Sequence, residues 1–390
     1  MKIAVVCDSF KGSLTSKDAC AAVKDGLLRC NKNFEVLSLP FADGGEGTSR
    51  CFYDILGGQL RKAAVHDPLL REITAEYTVL PDGTAVIDVA SASGLTLLKS
   101  SERDAVKVSS LGSGELICDA AEHGAKHIIL GLGGSATTDA GTGILYALGM
   151  RFFSENGVEV LPDGQNMIRV KKIRRTENFE KFKDIKFTLA CDVTNPLCGE
   201  NGAAYVFSPQ KGASKNDVKL LDDGLRNIGE IFEKASGKKI INLPGAGAAG
   251  GIGGGLSAFL NCELQSGFDV LARAASLEDK IRRSDAVITG EGKTDRQTLF
   301  GKLPKRVSDI AEKFGVPCIL LSGDVENDIS AEKLGVCEIH KIKENGISLE
   351  HCMKNAASLL SERAFAIGQD SKIINKQYSR KQEKMRENER

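Results

Sequence analysis

The chain has 390 residues, of which 42% are hydrophobic, 27% charged and 42 glycine, a composition that excludes a disordered polymer and suits a large protein with many tight turns. Lysine plus arginine and aspartate plus glutamate each total 52, so the net charge is zero and no global field draws the protein to nucleic acid or an anionic membrane. No apolar run approaches the ~20 residues that span a bilayer, which leaves a small molecule as the expected partner.

The length suggests two or three domains. The apolar start IAVVCDS has one leading lysine and no small-residue cleavage site, so a cytoplasmic protein is expected. The 11 cysteines are odd in number and scattered, with no C-x-x-C pair, which argues against a disulfide framework or a structural zinc. His123 and His127 are spaced i,i+4, but Gly124 lies between them and an apolar run follows, so no histidine metal site is expected.

In chain order, Ile3–Cys7 reads as a strand, Thr15 to about Leu28 as a helix capped by Thr15, and Phe34–Leu39 as a second strand: a βαβ unit. Asp8 sits where the first strand ends, followed by Ser9, Phe10, Lys11, Gly12 and Ser13, and ligands of open α/β sheets collect beyond the carboxyl ends of strands. Lys11 can reach an anion, Gly12 lets backbone come close and Ser13 offers a hydroxyl, although a capped turn explains the same residues. The second strand ends in PFADGGEGT, where Asp43 and Glu46 flank Gly44 and Gly45. Two carboxylates beside flexible backbone suit Mg²⁺ or sugar-like hydroxyls, with a bare acidic turn as the competing reading.

Residues 73–90 read as a hairpin about a Pro-Asp-Gly turn, 114–123 as a helix, 127–132 as a strand and 140–149 as another helix. The intervening GLGGSATTDAGTG places the amides of Gly133, Gly134 and Ser135 at a strand-to-helix turn, an anion site unless the glycines serve packing alone. Asp139, by its charge, would face a metal or a hydroxyl. Asp192 ends an apolar strand at 187–193, where burial would limit its motion, which makes it a candidate general base; its competing role is to cap the loop that follows. That long polar segment carries Lys211, a candidate phosphate or substrate ligand.

Residues 245–256, GAGAAGGIGGGL, contain G-x-G-x-x-G, with Asp269 about 20 residues beyond that motif, as in a dinucleotide site. Pro244 interrupts the entry and no βαβ unit follows, so a glycine-rich helix entrance lining the cleft is preferred. After Arg282, strands at 285–290, 317–323 and 337–342 alternate with helices and lead to an amphipathic helix near 351–366. TGEGKTDRQT begins at the end of the first of these strands. Its Gly-Lys-Thr imitates a P-loop, but Val287 stands where that motif needs glycine, so Glu291 and Asp295 are read instead as acids for Mg²⁺ and polyphosphate. Both chain ends, 1–60 and 282–370, are expected to build one doubly wound parallel sheet, with 61–281 inserted as a second α/β domain of α+β character and 371–390 a charged tail.

Together DSFKGS, PFADGGEGT, GLGGSATTDAGTG, CDVTNPLCGENGAAYVFSPQKGA, GAGAAGGIGGGL and TGEGKTDRQTLFGK resemble, in order, the motif series of the bacterial glycerate kinase type 1 family, from Met1 to about residue 367. Departures are Thr138-Asp139-Ala140-Gly141, where Asn-Asp-Gly-Gly is expected, and Thr194 at a variable place. The resemblance implies transfer of the γ-phosphoryl of ATP, with Mg²⁺, to D-glycerate, in a cleft between a flavodoxin-like domain and a second α/β domain, and it tilts the product toward 2-phosphoglycerate. The candidate catalytic residues are Asp192 and Lys11. Substrate and phosphate contacts are expected from Asp8, Ser9, Ser13, Asp43, Gly44, Gly45, Glu46, Gly133, Gly134, Ser135, Lys211 and Asp269, and metal contacts from Asp295 and Glu291. Rival readings are a GHMP-type kinase of another small hydroxy compound, a nicotinamide oxidoreductase and a non-catalytic sugar-acid sensor; a homodimer is left open.

Overall fold

The run Ile3–Val6 is buried on both faces, as a central strand of a parallel sheet demands. The computed structural model describes residues 1–42, 44–160, 163–344, 346–377 and 379. Its strands are β1 (Lys2–Cys7), β2 (Glu35–Pro40), β3 (Gln59–His66), β4 (Glu72–Val79), β5 (Ala85–Asp88), β6 (His127–Gly131) and β7 (Met150–Phe153). They continue with β8 (Lys172–Arg175), β9 (Lys186–Ala190), β10 (Asn261–Gln265), β11 (Ala286–Thr294), β12 (Cys318–Val325) and β13 (Glu338–Lys341). The chain divides into two units: Met1–Asp43 with Leu271–Arg390, and Gly44–Val270.

The first unit holds an all-parallel sheet in the order β13-β12-β11-β1-β2, with Cys7 opposite Gly290 and Glu291 opposite Ser322. Counted within the unit this is the flavodoxin-like order, whose switch point lies between β1 and β11. Both chain ends therefore build one sheet, as the alternation of strands and helices implies. Thr15 caps the helix Ser16–Cys30 by accepting from the Asp18 amide at 3.1 Å. That helix packs on Ala356–Asp370, and Gly26 permits the approach: a Cβ there would stand 2.0 Å from the Ser361 carbonyl oxygen. The expected single helix near 351–366 is two helices, Leu349–Lys354 and Ala356–Asp370, broken at Asn355. β11 also runs past its expected end at residue 290, with Lys293 opposite Asp324 and Thr294 opposite Val325. The Gly-Lys-Thr tripeptide is thus strand, held by the β12 ladder, and not a phosphate loop.

The second unit carries a six-stranded sheet in the order β10-β9-β6-β5-β4-β3. β3, β4 and β5 are antiparallel, and the β4–β5 turn closes through Leu80 and Thr84, as Pro-Asp-Gly predicts. β5, β6, β9 and β10 are mutually parallel. The sequence places boundaries after residues 60 and 281, whereas the chain divides after Asp43 and Val270. The helix Thr48–Leu56 packs on β4 and β5, a long-range contact that no local pattern signals.

The glycine-rich run forms the helix Ala248–Phe259 with no strand leading into it, which removes the dinucleotide reading. The expectation that it lines a cleft also changes: its glycines are buried, and Gly250 accepts from the Ala140 amide at 3.0 Å. A Cβ on Gly255 would stand 1.9 Å from the Ala140 carbonyl oxygen. Gly255→Ala should therefore lower stability by about 1–3 kcal/mol, the usual cost of overpacking, read as a lower urea midpoint. An unchanged midpoint would show that the segment yields without cost. No helix among the described residues is long and apolar enough to cross a membrane.

Candidate active site

In the first unit, the carboxyl ends of β1, β11 and β12 open on a cavity of about 580 Å³. It brings together the expected Asp8, Ser9, Lys11, Ser13, Glu291 and Asp295. Asp8 begins the loop after β1, its amide donating to the Gly290 carbonyl at 2.9 Å and its carboxylate accepting from the Ser9 amide at 2.6 Å. Gly12 adopts φ +75°, which a side chain would strain. The Ser13 hydroxyl, expected to meet substrate, donates to the Met353 carbonyl at 2.7 Å and so ties the loop to the helix Leu349–Lys354.

Four lysines line this cavity, and three of them are neutralised. Lys293 pairs with Glu326 at 2.8 Å, Lys302 with Asp295 at 3.1 Å and Lys343 with Asp324 at 2.6 Å. Lys11 is exposed and makes no ion pair among the described residues, so its charge is available to an incoming anion. Glu291 is buried and accepts from the Thr298 hydroxyl at 2.6 Å; burial pushes its carboxyl up to about 7, against Thr298, with the nearby Asp8 adding to the rise. Asp295 is the N-cap of the helix Arg296–Leu299. Burial pushes its carboxyl up, but Lys302 and the helix amides outweigh it and leave the group below the usual range.

In the second unit, register sets Asp88 opposite Gly131, Gly131 opposite Ala190 and Ala190 opposite Gln265, so the segments after β5, β6, β9 and β10 leave from one edge. The Gly133 amide donates to the Gly44 carbonyl at 3.1 Å, and a Cβ on Gly133 would meet the Gly45 Cα at 2.4 Å. Of the three amides read as an anion site, that of Gly133 is thus spent on the neighbouring glycine turn, while those of Gly134 and Ser135 donate to no backbone or side-chain acceptor among the described residues. Glu46 accepts weakly from the Thr96 hydroxyl at 3.4 Å. Asp43 lies outside the described residues.

Sequence reading missed Asp88, whose signal was an acid ending the hairpin's second strand. It is buried and accepts from the amides of Gly47 at 2.9 Å and Ser49 at 3.0 Å. Burial pushes its carboxyl up to about 7 despite those two bonds. Asp139, expected to face a metal or a hydroxyl, is fully buried and accepts from the Ser110 hydroxyl as well as the Ser110, Gly141 and Gly143 amides, a brace for the loop.

Lys211 is also buried, and its ammonium donates to the Ser135 hydroxyl at 2.9 Å and the Thr137 carbonyl at 2.7 Å. Loss of hydration lowers its pKa from 10.5 to about 7, with Asp139 opposing. Between those values the unfolded chain binds more protons than the folded one, so this residue makes stability rise as pH goes from about 7 to 10.5. Lys211→Met should flatten that rise in urea midpoints, and an identical slope would place the lysine in contact with water. Asp192 corrects an expectation: β9 ends at Ala190, and Asp192 is exposed. Asp269 lies, exposed, in the first turn of the helix Gly267–Ala274.

A family model described as the glycerate kinase family matches residues 3–372. Glycerate kinase of Halalkalibacterium halodurans is 38% identical over 364 residues, covering 93% of this chain and 96% of that one. Glycerate 2-kinase of Escherichia coli K12 is 41% identical over 330 residues, covering 84% of this chain and 87% of its own. A crystal structure of a glycerate kinase 2 from Salmonella typhimurium LT2 superposes with a TM-score of 0.84 at 34% identity, covering 95% of this chain and 97% of that one. The chain belongs to the glycerate kinase family and is an enzyme that phosphorylates glycerate.

Proposed function

We propose that this chain transfers the γ-phosphoryl group of ATP to the 2-hydroxyl of D-glycerate, with Mg²⁺, in the cytoplasm and with no nucleic-acid or membrane partner. The observation that carries the reading is the cavity at the β1–β11 switch point, lined by the acids Asp8 and Glu291 and by Lys11, which has no ion pair among the described residues. Similarity to the enzyme from Escherichia coli named glycerate 2-kinase supports the 2-position.

Among the described residues no three His, Cys, Asp or Glu side chains converge as a metal cluster. Mg²⁺ in phosphoryl transfer takes one or two carboxylates, with phosphates and water completing the octahedron, so a pair of acids suffices. Glu291 fits: its carboxyl is driven toward neutrality by burial and by Asp8, a situation that a cation relieves. Asp8 and Glu291 would hold the ion. Asp295, from the same cavity, can join them only by sharing its carboxylate with Lys302. When bound there, Mg²⁺ would supply neutralisation of the phosphate charge.

The protein's own contribution is positioning. Lys11 steadies the transferring phosphoryl group. In the second unit, the Gly134 and Ser135 amides take the carboxylate of glycerate, with Ser135 held by Lys211. Asp192 orients the attacking hydroxyl and accepts its proton. The test is a phosphorus NMR spectrum of the product formed from ATP, Mg²⁺ and D-glycerate by purified protein. A 2-phosphoglycerate resonance is expected; unmodified D-glycerate would overturn the activity, and 3-phosphoglycerate the position.

A further inference from the structure

The switch-point cavity has two chemically different kinds of lining: Asp8, Lys11 and Glu291 are charged, whereas Phe10, Ile342, Leu349, Cys352, Met353 and Ala356 are apolar. Leu349 and Met353 are spaced i,i+4 on the short helix Leu349–Lys354 and are 61% and 37% exposed, although the helix is otherwise docked through Cys352, which is 5% exposed. Two large apolar side chains left open in the lining of a cavity mark a surface that a ligand covers. The Ser13 hydroxyl on the Met353 carbonyl at 2.7 Å joins this helix to the loop carrying Lys11, so the apolar shelf and the cation belong to one braced structure. Gly12 is part of that brace, because a Cβ there would press on the Met353 methyl at 3.0 Å.

We infer that this shelf is the purine subsite: the base of the nucleotide lies against Leu349 and Met353, with Ile342 and Ala356 behind, and its phosphates extend to Lys11. A purine offers large flat apolar faces, which such a shelf covers without a matching polar partner. The volume of about 580 Å³ lies within the range of small-molecule sites and accommodates base and ribose together. Asp324 and Lys343, paired with each other at 2.6 Å in the same lining, supply the polar edge for ribose hydroxyls. The inference rests on reading this cavity as the nucleotide site and goes further by fixing which lining residues take the base.

Two experiments test it, and neither needs turnover. In the first, Leu349→Glu and Met353→Glu place a carboxylate where the base would stack. Both sites are at the surface, so the fold should survive, as equal melting temperatures would show. Titration with MgADP should give about tenfold or weaker affinity in each variant, while Mg-pyrophosphate, which has no base, should bind as it does to the unaltered chain. Equal MgADP affinity in both variants, or an equal loss for pyrophosphate, would overturn the proposal. In the second, the unaltered chain is photolabelled with 8-azido-ATP. Label on peptides spanning 342–356 that is displaced by ATP supports the subsite, and label only elsewhere, or none there, refutes it. Loss of MgADP binding in the variants together with no glycerate phosphorylation by the unaltered protein would sink the proposed reaction and leave the subsite standing.

Discussion

Asp192→Asn should lower turnover with D-glycerate by about 10²–10⁴-fold while leaving the fold and ATP affinity nearly intact, the size of effect that proton acceptance and orientation contribute. The carboxylates that leave the one sheet edge of the second unit differ in burial. Asp88 is spent on the amides of Gly47 and Ser49, and Asp139, in the glycine loop after β6, on Ser110, Gly141 and Gly143. Their buried carboxyls are pushed up by desolvation and cannot reach a ligand without unmaking the loops they hold. Asp192 stands just beyond β9 and is exposed, so a substrate hydroxyl can approach it. A loose, metaphosphate-like transition state asks little base strength of it, so an ordinary carboxylate suffices and the substitution removes charge while keeping shape. Near-normal turnover in a correctly folded variant would remove Asp192 from the mechanism and move attention to other acids, among them the exposed Asp269 and Glu46.

Lys11→Ala should weaken the contact with the transferring phosphate by about 1.5–3 kcal/mol, or roughly 10- to 150-fold in kcat/KM for ATP, the usual worth of a charge-assisted hydrogen bond. The neighbouring lysines show why this one is singled out. Lys293, Lys302 and Lys343 are each matched by an acid within 3.1 Å, so removing one of them trades an anion contact against a freed carboxylate. Lys293→Ala is the control, because its exposed pair with Glu326 should be worth about 0–1 kcal/mol and the loss correspondingly small. Unchanged kinetics in Lys11→Ala would make Lys11 a solvated surface lysine and leave the phosphate end of the cavity without its cation.

The chemistry-bearing segments were legible because each sits at a change of period, from strand to turn to helix, with acids, hydroxyls or glycines at the break. DSFKGS and TGEGKTDRQT share no local signal that they are neighbours, yet Cys7 pairs with Gly290 and the two motifs close one cavity. Asp192 shows the limit in the other direction: an apolar run leading into an acid implied burial, but the strand stops two residues earlier and the side chain meets solvent. Lys211 and Asp88 carry no local mark of their burial, which comes from elements distant in sequence closing over them.

By itself the sequence determined the class of fold, the order along the chain of the first unit's strands and the residue types available for phosphoryl transfer, because periodicity, turn chemistry and charge are local properties. Tertiary structure alone decided which of those residues are free to act. It spent Asp139 and the Gly133 amide on bracing, paired three pocket lysines and left Lys11 without an ion pair among the described residues. It also turned Gly250, Gly251 and Gly255 into close packing against residues 137–140. Whether a polar group serves the fold or a ligand depends on the partners that distant strands and helices bring to it, and no local pattern records them.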